Sequence, residues 1–156
     1  TISTFEIYDT SFSNVRFTVT QAGDVGVAGD LSVVGNQTVF GTQSAAVSTP
    51  SHGNRLVYAV ESPENWFEDF GSGVLRAGAA TVELETIFAE TVNTRVDYHV
   101  FVTPLGDCAL YVTDKTRTTF AVRALDGKAC DVPFDYRIVA KRSGYETAWL
   151  EPTASR

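Results

Sequence analysis

The segment 61–70, with the sequence ESPENWFEDF, holds residue types that could bind or cleave a carbohydrate. Its carboxylates belong to Glu61, Glu64, Glu68 and Asp69. Two carboxyl groups can hydrolyse a glycosidic bond, one as acid and the other as base or nucleophile, if they lie at a working separation. Position along the chain does not establish that separation, and an acidic loop is usually only solvated. We therefore expect no enzyme activity, with glycoside hydrolysis by these acids as the alternative.

Aromatic rings stand among these acids. Trp66 and Phe70 could form a platform on which a sugar ring stacks while neighbouring carboxylates accept its hydroxyl groups. The same rings could pack as core beneath the segment, which is the commoner role. We predict that 61–72 is a loop and that Gly71 and Gly73 leave its far end mobile. The residues expected to contact a receptor are Glu64, Trp66, Glu68 and Asp69.

Metal and cofactor chemistry has little support in the sequence. A metal site needs several converging ligands, and the two histidines, His52 and His99, are far apart in the chain. Three copies of one histidine could still meet on the axis of a trimer. The chain also lacks a glycine-rich phosphate loop with its lysine. We predict neither a metal nor a cofactor.

Cys108 and Cys130 each precede a predicted strand. If 108–113, 118–123 and 132–140 form a three-stranded meander, both cysteines lie at the same end of it. A disulfide is then feasible, provided that the Cα atoms come within about 7 Å. Two free thiols, as expected in a reducing compartment, are the alternative, and the sequence leaves both open.

The overall composition excludes several classes of partner. The chain has 156 residues, of which 44% are hydrophobic, enough for a folded domain with a core. Its net charge of −7 disfavours nucleic acids and anionic membrane surfaces, and no apolar run is long enough to span a bilayer. We expect neither nucleic acid binding nor membrane insertion. Because the chain lacks an initial methionine, we expect a fragment of a longer chain or a processed product.

A six-residue repeat dominates the glycine-rich part of the chain. Its period is shared by Gly23, Gly29, Gly35 and Gly41 and by Val27, Val33 and Val39. Each repeat predicts a short strand and a turn, and one such unit buries almost nothing by itself. Three parallel chains would share an apolar axis, so we predict that 22–46 belongs to a homotrimeric stem with these valines in its core. A single-chain β-helix coil and a glycine-rich meander in a monomer are the alternatives.

Period-2 alternation of apolar residues predicts strands on both sides of this repeat. Two strands are predicted near 5–8 and 15–20. Later strands, separated by turns, indicate an antiparallel β-sandwich-like domain with one helical turn at 86–92 and two strands joined through Ala77 and Gly78. Its core is expected to contain Tyr98, Val100, Val102, Leu110, Val112, Phe120, Val122, Phe134, Tyr136, Ile138 and Ala140.

The chain is therefore predicted to be all-β and to divide into a stem and a tip. Its segments are a stem at 1–48, a linker or sharp turn at 49–54, a tip domain at 55–147 and a C-terminal tail at 148–156. The linker or turn is predicted because this segment contains Pro, His, Gly and Asn. The tip is expected to open with a strand at 55–62.

Two parts of the sequence resemble bacteriophage tail-fibre proteins and related bacterial surface fibres. The stretch VRFTVTQAGDVGVAGDLSVVGN resembles the segment that precedes the tip of such fibres. The turns ESPE and TPLGD and the strand FDYRIVAKR are similar to those of a small β domain at their C-terminal end. The resemblance implies the distal part of a trimeric fibre, extracellular or on a virion. It further implies attachment to a cell-surface glycan or protein receptor, or capping of the fibre, and supplies no catalytic residue.

Overall fold

The computed structural model describes residues 4–10 and 14–152. Within them it has eleven β-strands, one short α-helix and one 3-10 turn, so the predicted all-β class is confirmed. The chain divides into two compact units, Thr1–Ala59 and Val60–Arg156, called here the first and second unit. The predicted stem and tail extend outside the described residues at 1–3, 11–13 and 153–156.

The first unit begins with a three-stranded antiparallel sheet in the order β1-β2-β3. Its strands are β1 (Thr4–Asp9), β2 (Asn14–Thr20) and β3 (Val25–Val27). The two strands predicted from alternation are confirmed. Between β2 and β3 the chain turns at Gly23, whose φ of 91° is costly for residues with a Cβ. Thr20 Oγ1 supports the turn by accepting a hydrogen bond from the Asp24 amide at 3.1 Å.

The first unit ends with an antiparallel hairpin of β4 (Ser44–Thr49) and β5 (Gly53–Tyr58). Of the linker and the sharp turn that the sequence allowed at 49–54, the structure has the turn, which closes this hairpin and in which Thr49 Oγ1 donates to the Gly53 carbonyl at 2.9 Å. The boundary between the units therefore follows Ala59 rather than residue 54. The sequence prediction placed β5 in the tip domain because it did not pair the runs on either side of the turn.

The six-residue repeat forms little regular structure within one chain. Only β3 lies in it, and residues 28–43, all of them described, contain no strand. Of the strands predicted for each repeat, only the one at β3 forms, and the repeats within 28–43 have none. None of the described side chains of the first unit is buried.

The second unit contains two three-stranded antiparallel sheets, in the orders β6-β11-β8 and β7-β10-β9. Their strands are β6 (Trp66–Val74), β7 (Ala79–Glu83), β8 (His99–Pro104), β9 (Leu110–Thr113), β10 (Thr119–Ala124) and β11 (Pro133–Lys141). The last two strands, β10 and β11, are the centres of the two sheets. The meander of 108–113, 118–123 and 132–140, which was the condition for placing the two cysteines at one end, does not form, because β11 leaves the sheet of β9 and β10.

The core of the second unit is formed by side chains from both sheets. Phe120 and Val122 of β10 and Phe134 and Ile138 of β11 are fully or almost fully buried, as their alternation predicts. The ring of Phe120 meets that of Tyr136 edge-on, with centroids 5.4 Å apart. Central strands supply most of the core because both of their edges are paired and their inner faces are covered.

A short helix and a tight turn complete the second unit. Helix α1 (Thr86–Thr91) confirms the predicted helical turn. It begins after Glu85, whose carboxylate accepts hydrogen bonds from the amides of Ile87 and Phe88 at 3.0 and 2.7 Å. These amides hold the pKa of Glu85 below its ordinary value. Ala77 and Gly78 join β6 to β7, as predicted, both with positive φ.

Candidate functional site

The segment predicted to be a receptor-binding loop is largely a strand. β6 pairs with β11 along its whole length, from Trp66 opposite Lys141 to Val74 opposite Pro133. A loop was predicted here because acids and glycines are poor strand formers, and that prediction is wrong. Cross-strand pairing with β11 overrides that preference, and the sequence signal for it was the alternation of residues along 66–74.

Gly71 and Gly73 allow close packing and do not leave the segment mobile. A Cβ atom on Gly71 would lie 2.3 Å from Tyr136 Oη, and one on Gly73 would lie 2.4 Å from Phe134 Cζ. The two rings therefore cover the backbone of β6 directly. Any larger side chain would displace them, which explains glycine at these two inward positions.

The opposite, outward side of the sheet β6-β11-β8 carries the aromatic and charged residues. We call this surface the outer face. It is defined by Trp66, Glu68, Phe70, Ser72, His99, Phe101, Thr103, Asp135, Arg137 and Val139, which are cross-strand neighbours in register. Because directly opposite residues of an antiparallel pair share a face, these side chains form one continuous surface.

Arg137 lies at the centre of the outer face between two exposed rings. It is opposite Phe70 on one side and Phe101 on the other. Its guanidinium carbon is 5.9 Å from the Phe70 ring centroid and 5.8 Å from that of Phe101. The rings are 66% and 57% exposed, and so remain available to a ligand. Sequence reasoning did not select Phe101 or Arg137, because only strand pairing brings them beside Phe70.

Two polar pairs flank this row. Arg137 Nε donates to Glu68 Oε2 at 2.5 Å. On the other side, Ser72 Oγ donates to Asp135 Oδ1 at 2.6 Å. A pocket of about 190 Å³ opens beside Trp66 and is also lined by Glu68 and Arg137. The outer face thus combines exposed aromatic side chains with hydrogen-bonding groups that are already paired.

The four residues predicted to contact a receptor are only partly brought together. Trp66 and Glu68 lie on the outer face. Glu64, just before β6, is paired with Lys141 at 2.5 Å, and both side chains are largely buried. Asp69 lies on the opposite side of β6, since successive strand residues alternate. Burial, and secondly the charge of Asp69, raise the pKa of Tyr136.

The same contacts bear on the alternative of glycoside hydrolysis. Glu68 is held by Arg137 and Glu64 by Lys141. Glu68 and Asp69 are neighbours on one strand and face opposite ways. Glu64 and Glu68 are therefore each bound to a different cation, and Glu68 and Asp69 do not form a facing pair.

Trp66 is half-buried and packs against neighbours on the outer face. Trp66 lies beside His99, with ring centroids 5.4 Å apart, and Lys141 Nζ is 5.5 Å from its ring. His99 is accordingly a partner of Trp66 on the outer face. No group of three described His, Cys, Asp or Glu residues is arranged to hold a metal ion.

Cys108 and Cys130 form a disulfide with an S–S distance of 1.98 Å and Cα atoms 6.6 Å apart. It joins the loop between β8 and β9 to the loop between β10 and β11. Both cysteines do lie at one end of the second unit, although they connect loops that cross between the sheets rather than one meander. The structure thus answers the question that the sequence left open.

The valines predicted for the stem core are exposed in a single chain. Val27 lies in β3, whereas Val33 and Val39 lie in the segment without strands. Their neighbours Leu31 and Phe40 are also exposed. The first unit therefore presents apolar side chains that its own chain does not cover.

Comparison with known proteins adds no relative. No protein-family model matches the chain, and no curated protein matches it in sequence. Among the described residues, no helix is long and apolar enough to cross a membrane.

Proposed function

We propose that this chain is the distal part of a homotrimeric fibre, extracellular or on a virion, in which the first unit forms the stem. The second unit is the tip that attaches to a cell surface or caps the fibre. The observation that carries the proposal is that no described side chain of the first unit is buried.

A unit without buried side chains lacks the main favourable term of folding. Ordering the backbone costs about 1–2 kcal/mol per residue, and burial of apolar surface normally offsets that cost. The first unit exposes Phe5, Ile7, Leu31, Phe40 and Leu56. Their burial against other copies would supply the missing term.

The six-residue repeat supports identical copies over a different partner. Parallel chains in register place Val27, Val33 and Val39 of each copy at the same height along the axis, and every copy completes the core of the others. The second unit has its own core and does not need this help. No contact described above favours glycoside hydrolysis as a second candidate.

Solution mass tests the assembly. Light scattering on the whole chain is expected to give about three times the chain mass of 16.9 kDa. A monodisperse species at the mass of one chain would overturn the proposal. Attachment is tested with the assembled protein on intact cells, where the variant Trp66→Ala separates a contact residue from a packed one. Lost attachment with unchanged melting and mass supports a contact, whereas lost stability shows that the ring is structural.

A further inference from the structure

We propose that the outer face binds a neutral oligosaccharide in which two sugar rings, separated by one intervening sugar, lie over Phe70 and Phe101. This inference rests on the proposed function and names the receptor class for its tip. It moves the site from a loop at 61–72 to the surface of the sheet β6-β11-β8, with Arg137 at its centre.

The spacing of the two rings fits a ligand with repeated apolar faces. Phe70 and Phe101 are on strands that flank β11, so they lie two strand spacings apart, about 10 Å. Both rings remain mostly exposed although each is next to Arg137. A pyranose presents C–H groups on its face, and an aromatic ring receives such a face well. Two sugars on either side of one intervening sugar can therefore engage both rings across β11.

The polar groups of the face suit sugar hydroxyl groups. Glu68 and Asp135 are acceptors, and Arg137 is a donor fixed by its bond to Glu68. Ser72 and Asp135 form a second pair beside the ring row. Groups that are already ordered lose little freedom when they bind. A hydroxyl can both donate and accept, so it can join either pair without breaking it.

Charge favours a neutral ligand over an acidic one. Arg137 is matched by Glu68, and Asp135 adds a second carboxylate to the face. The whole chain also carries a net charge of −7. An anionic glycan would meet repulsion here without an unmatched cation to bind it.

The same pattern argues against a protein as the occupant. The centre of a protein interface is enriched in Arg and aromatic residues but depleted of Glu and Asp. Here the carboxylates of Glu68 and Asp135 lie on either side of the row formed by Arg137 and the two rings. The face alternates rings with charged pairs. It therefore matches a sugar chain, which alternates apolar faces with hydroxyl groups, better than it matches a protein partner with a continuous apolar surface.

The test is a titration of the whole chain, followed by nuclear magnetic resonance, with cellotetraose, chitotetraose and mannotetraose as separate neutral probes. At least one probe is expected to shift the ring signals of Phe70 and Phe101 and to bind more tightly than its own monosaccharide. A hyaluronan tetrasaccharide serves as the acidic probe and is expected to bind more weakly. If none of the neutral probes shifts these signals, or if the acidic probe binds best, the inference is wrong.

Phe101→Ala is expected to weaken binding about tenfold through loss of one stacked ring. Because the Phe101 ring is exposed, the melting temperature of this variant should stay close to that of the parent. The matched control is Tyr111→Ala, another exposed aromatic, on β9 of the other sheet. Equal loss in both variants would overturn the assignment of the face.

Light scattering on the same samples separates this inference from the proposed function. A trimer that binds no neutral probe contradicts the glycan face and leaves the fibre assembly standing. A monomer that binds a probe through Phe101 contradicts the assembly and leaves the glycan face standing.

Discussion

The two units of the chain treat their apolar side chains in opposite ways. In the second unit Leu75, Phe120 and Phe134 are completely buried. In the first unit Phe5 and Phe40 stay mostly exposed, and no described residue is buried. Both units nevertheless form antiparallel strand pairs. Backbone pairing alone therefore does not create a core, which requires two apolar faces that meet.

Strand order explains why only the second unit meets this requirement within one chain. Its chain crosses repeatedly between β6-β11-β8 and β7-β10-β9, which places two inner faces around one core. The first unit contains a small sheet, a segment without strands and a hairpin. We attribute its missing layer to other copies of the chain.

The largest effect is expected for Val33→Asp in the stem. In a trimer it would bury three carboxylates around one axis, at a cost of several kcal/mol through desolvation and repulsion. The assembly should fall apart into single chains, as measured by light scattering. The second unit should keep its near-ultraviolet circular dichroism, because its core lies elsewhere.

Val34→Asp is the matched control for this prediction. Val34 is fully exposed and lies outside the six-residue period. The variant should remain trimeric and melt like the parent. If Val33→Asp also melts like the parent, the buried axis does not exist and the contrast between the units needs another explanation.

Sequence reasoning succeeded where a local pattern determines the structure. Alternation identified β1, β2 and the core positions Phe120, Phe134 and Ile138, because a strand with one covered face must alternate. Ala77 and Gly78 were recognised as a tight connection for a similar reason. These features depend on near neighbours in the chain.

Sequence reasoning failed where the structure of a segment depends on a strand that is distant in the chain. β6 contains acids and glycines and became a strand only through β11, more than fifty residues later. The outer face was missed for the same reason, since Phe70, Phe101 and Arg137 come from three strands. The pairing of the runs on either side of 49–54 was missed because they were not compared with each other, so β5 was assigned to the tip domain.

The disulfide is expected to have the next largest effect, confined to the second unit. It closes a loop with a sequence separation of 22, and removing such a link costs about 3 kcal/mol. Reduction, or Cys108→Ser with Cys130→Ser, should lower the melting temperature of the second unit and leave the mass of the assembly unchanged. Denatured but unreduced protein should show no reactive thiol. Two reactive thiols per chain would contradict the bridge.

Replacing one glycine in each unit by alanine is expected to change stability by a smaller amount. Gly73→Ala places a methyl group against the buried ring of Phe134 and should destabilise the second unit by about 1–3 kcal/mol. Gly35→Ala meets no atom within 4 Å in a single chain, so it should stay within about 0.5 kcal/mol of the parent if that chain is alone. Thermal melting and light scattering measure both.

The two outcomes sharpen the contrast between the units. Loss of assembly in Gly35→Ala would show that another copy packs against the repeat. If Gly73→Ala melts like the parent, β6 is not packed tightly against Phe134, in agreement with the prediction that 61–72 is a loop.

The smallest expected effect is the acid sensitivity of the second unit. A hydrogen bond and the charge of Lys115 hold the pKa of Asp97 below its ordinary value. The amides at Glu146 itself and at Gly144, together with the side chain of Asn93, lower the pKa of Glu146. The unfolded chain therefore binds more protons than the folded one in acid. These carboxylates stabilise the fold above their unfolded pKa, about 4, and the contribution disappears as pH falls through the folded values.

Asp97→Asn should flatten the decline in melting temperature of the second unit between about pH 5 and pH 2. Lys115→Gln should flatten it similarly, because it removes the donor that lowers the pKa of Asp97, and the double variant should add little to either change. The effect is small because the pair lies near the surface, where solvent screens it. If the melting temperature declines as steeply in both single variants as in the parent, this ion pair does not contribute to the pH dependence of stability. The acid sensitivity of the second unit would then have to come from other carboxylates, Glu146 first among them.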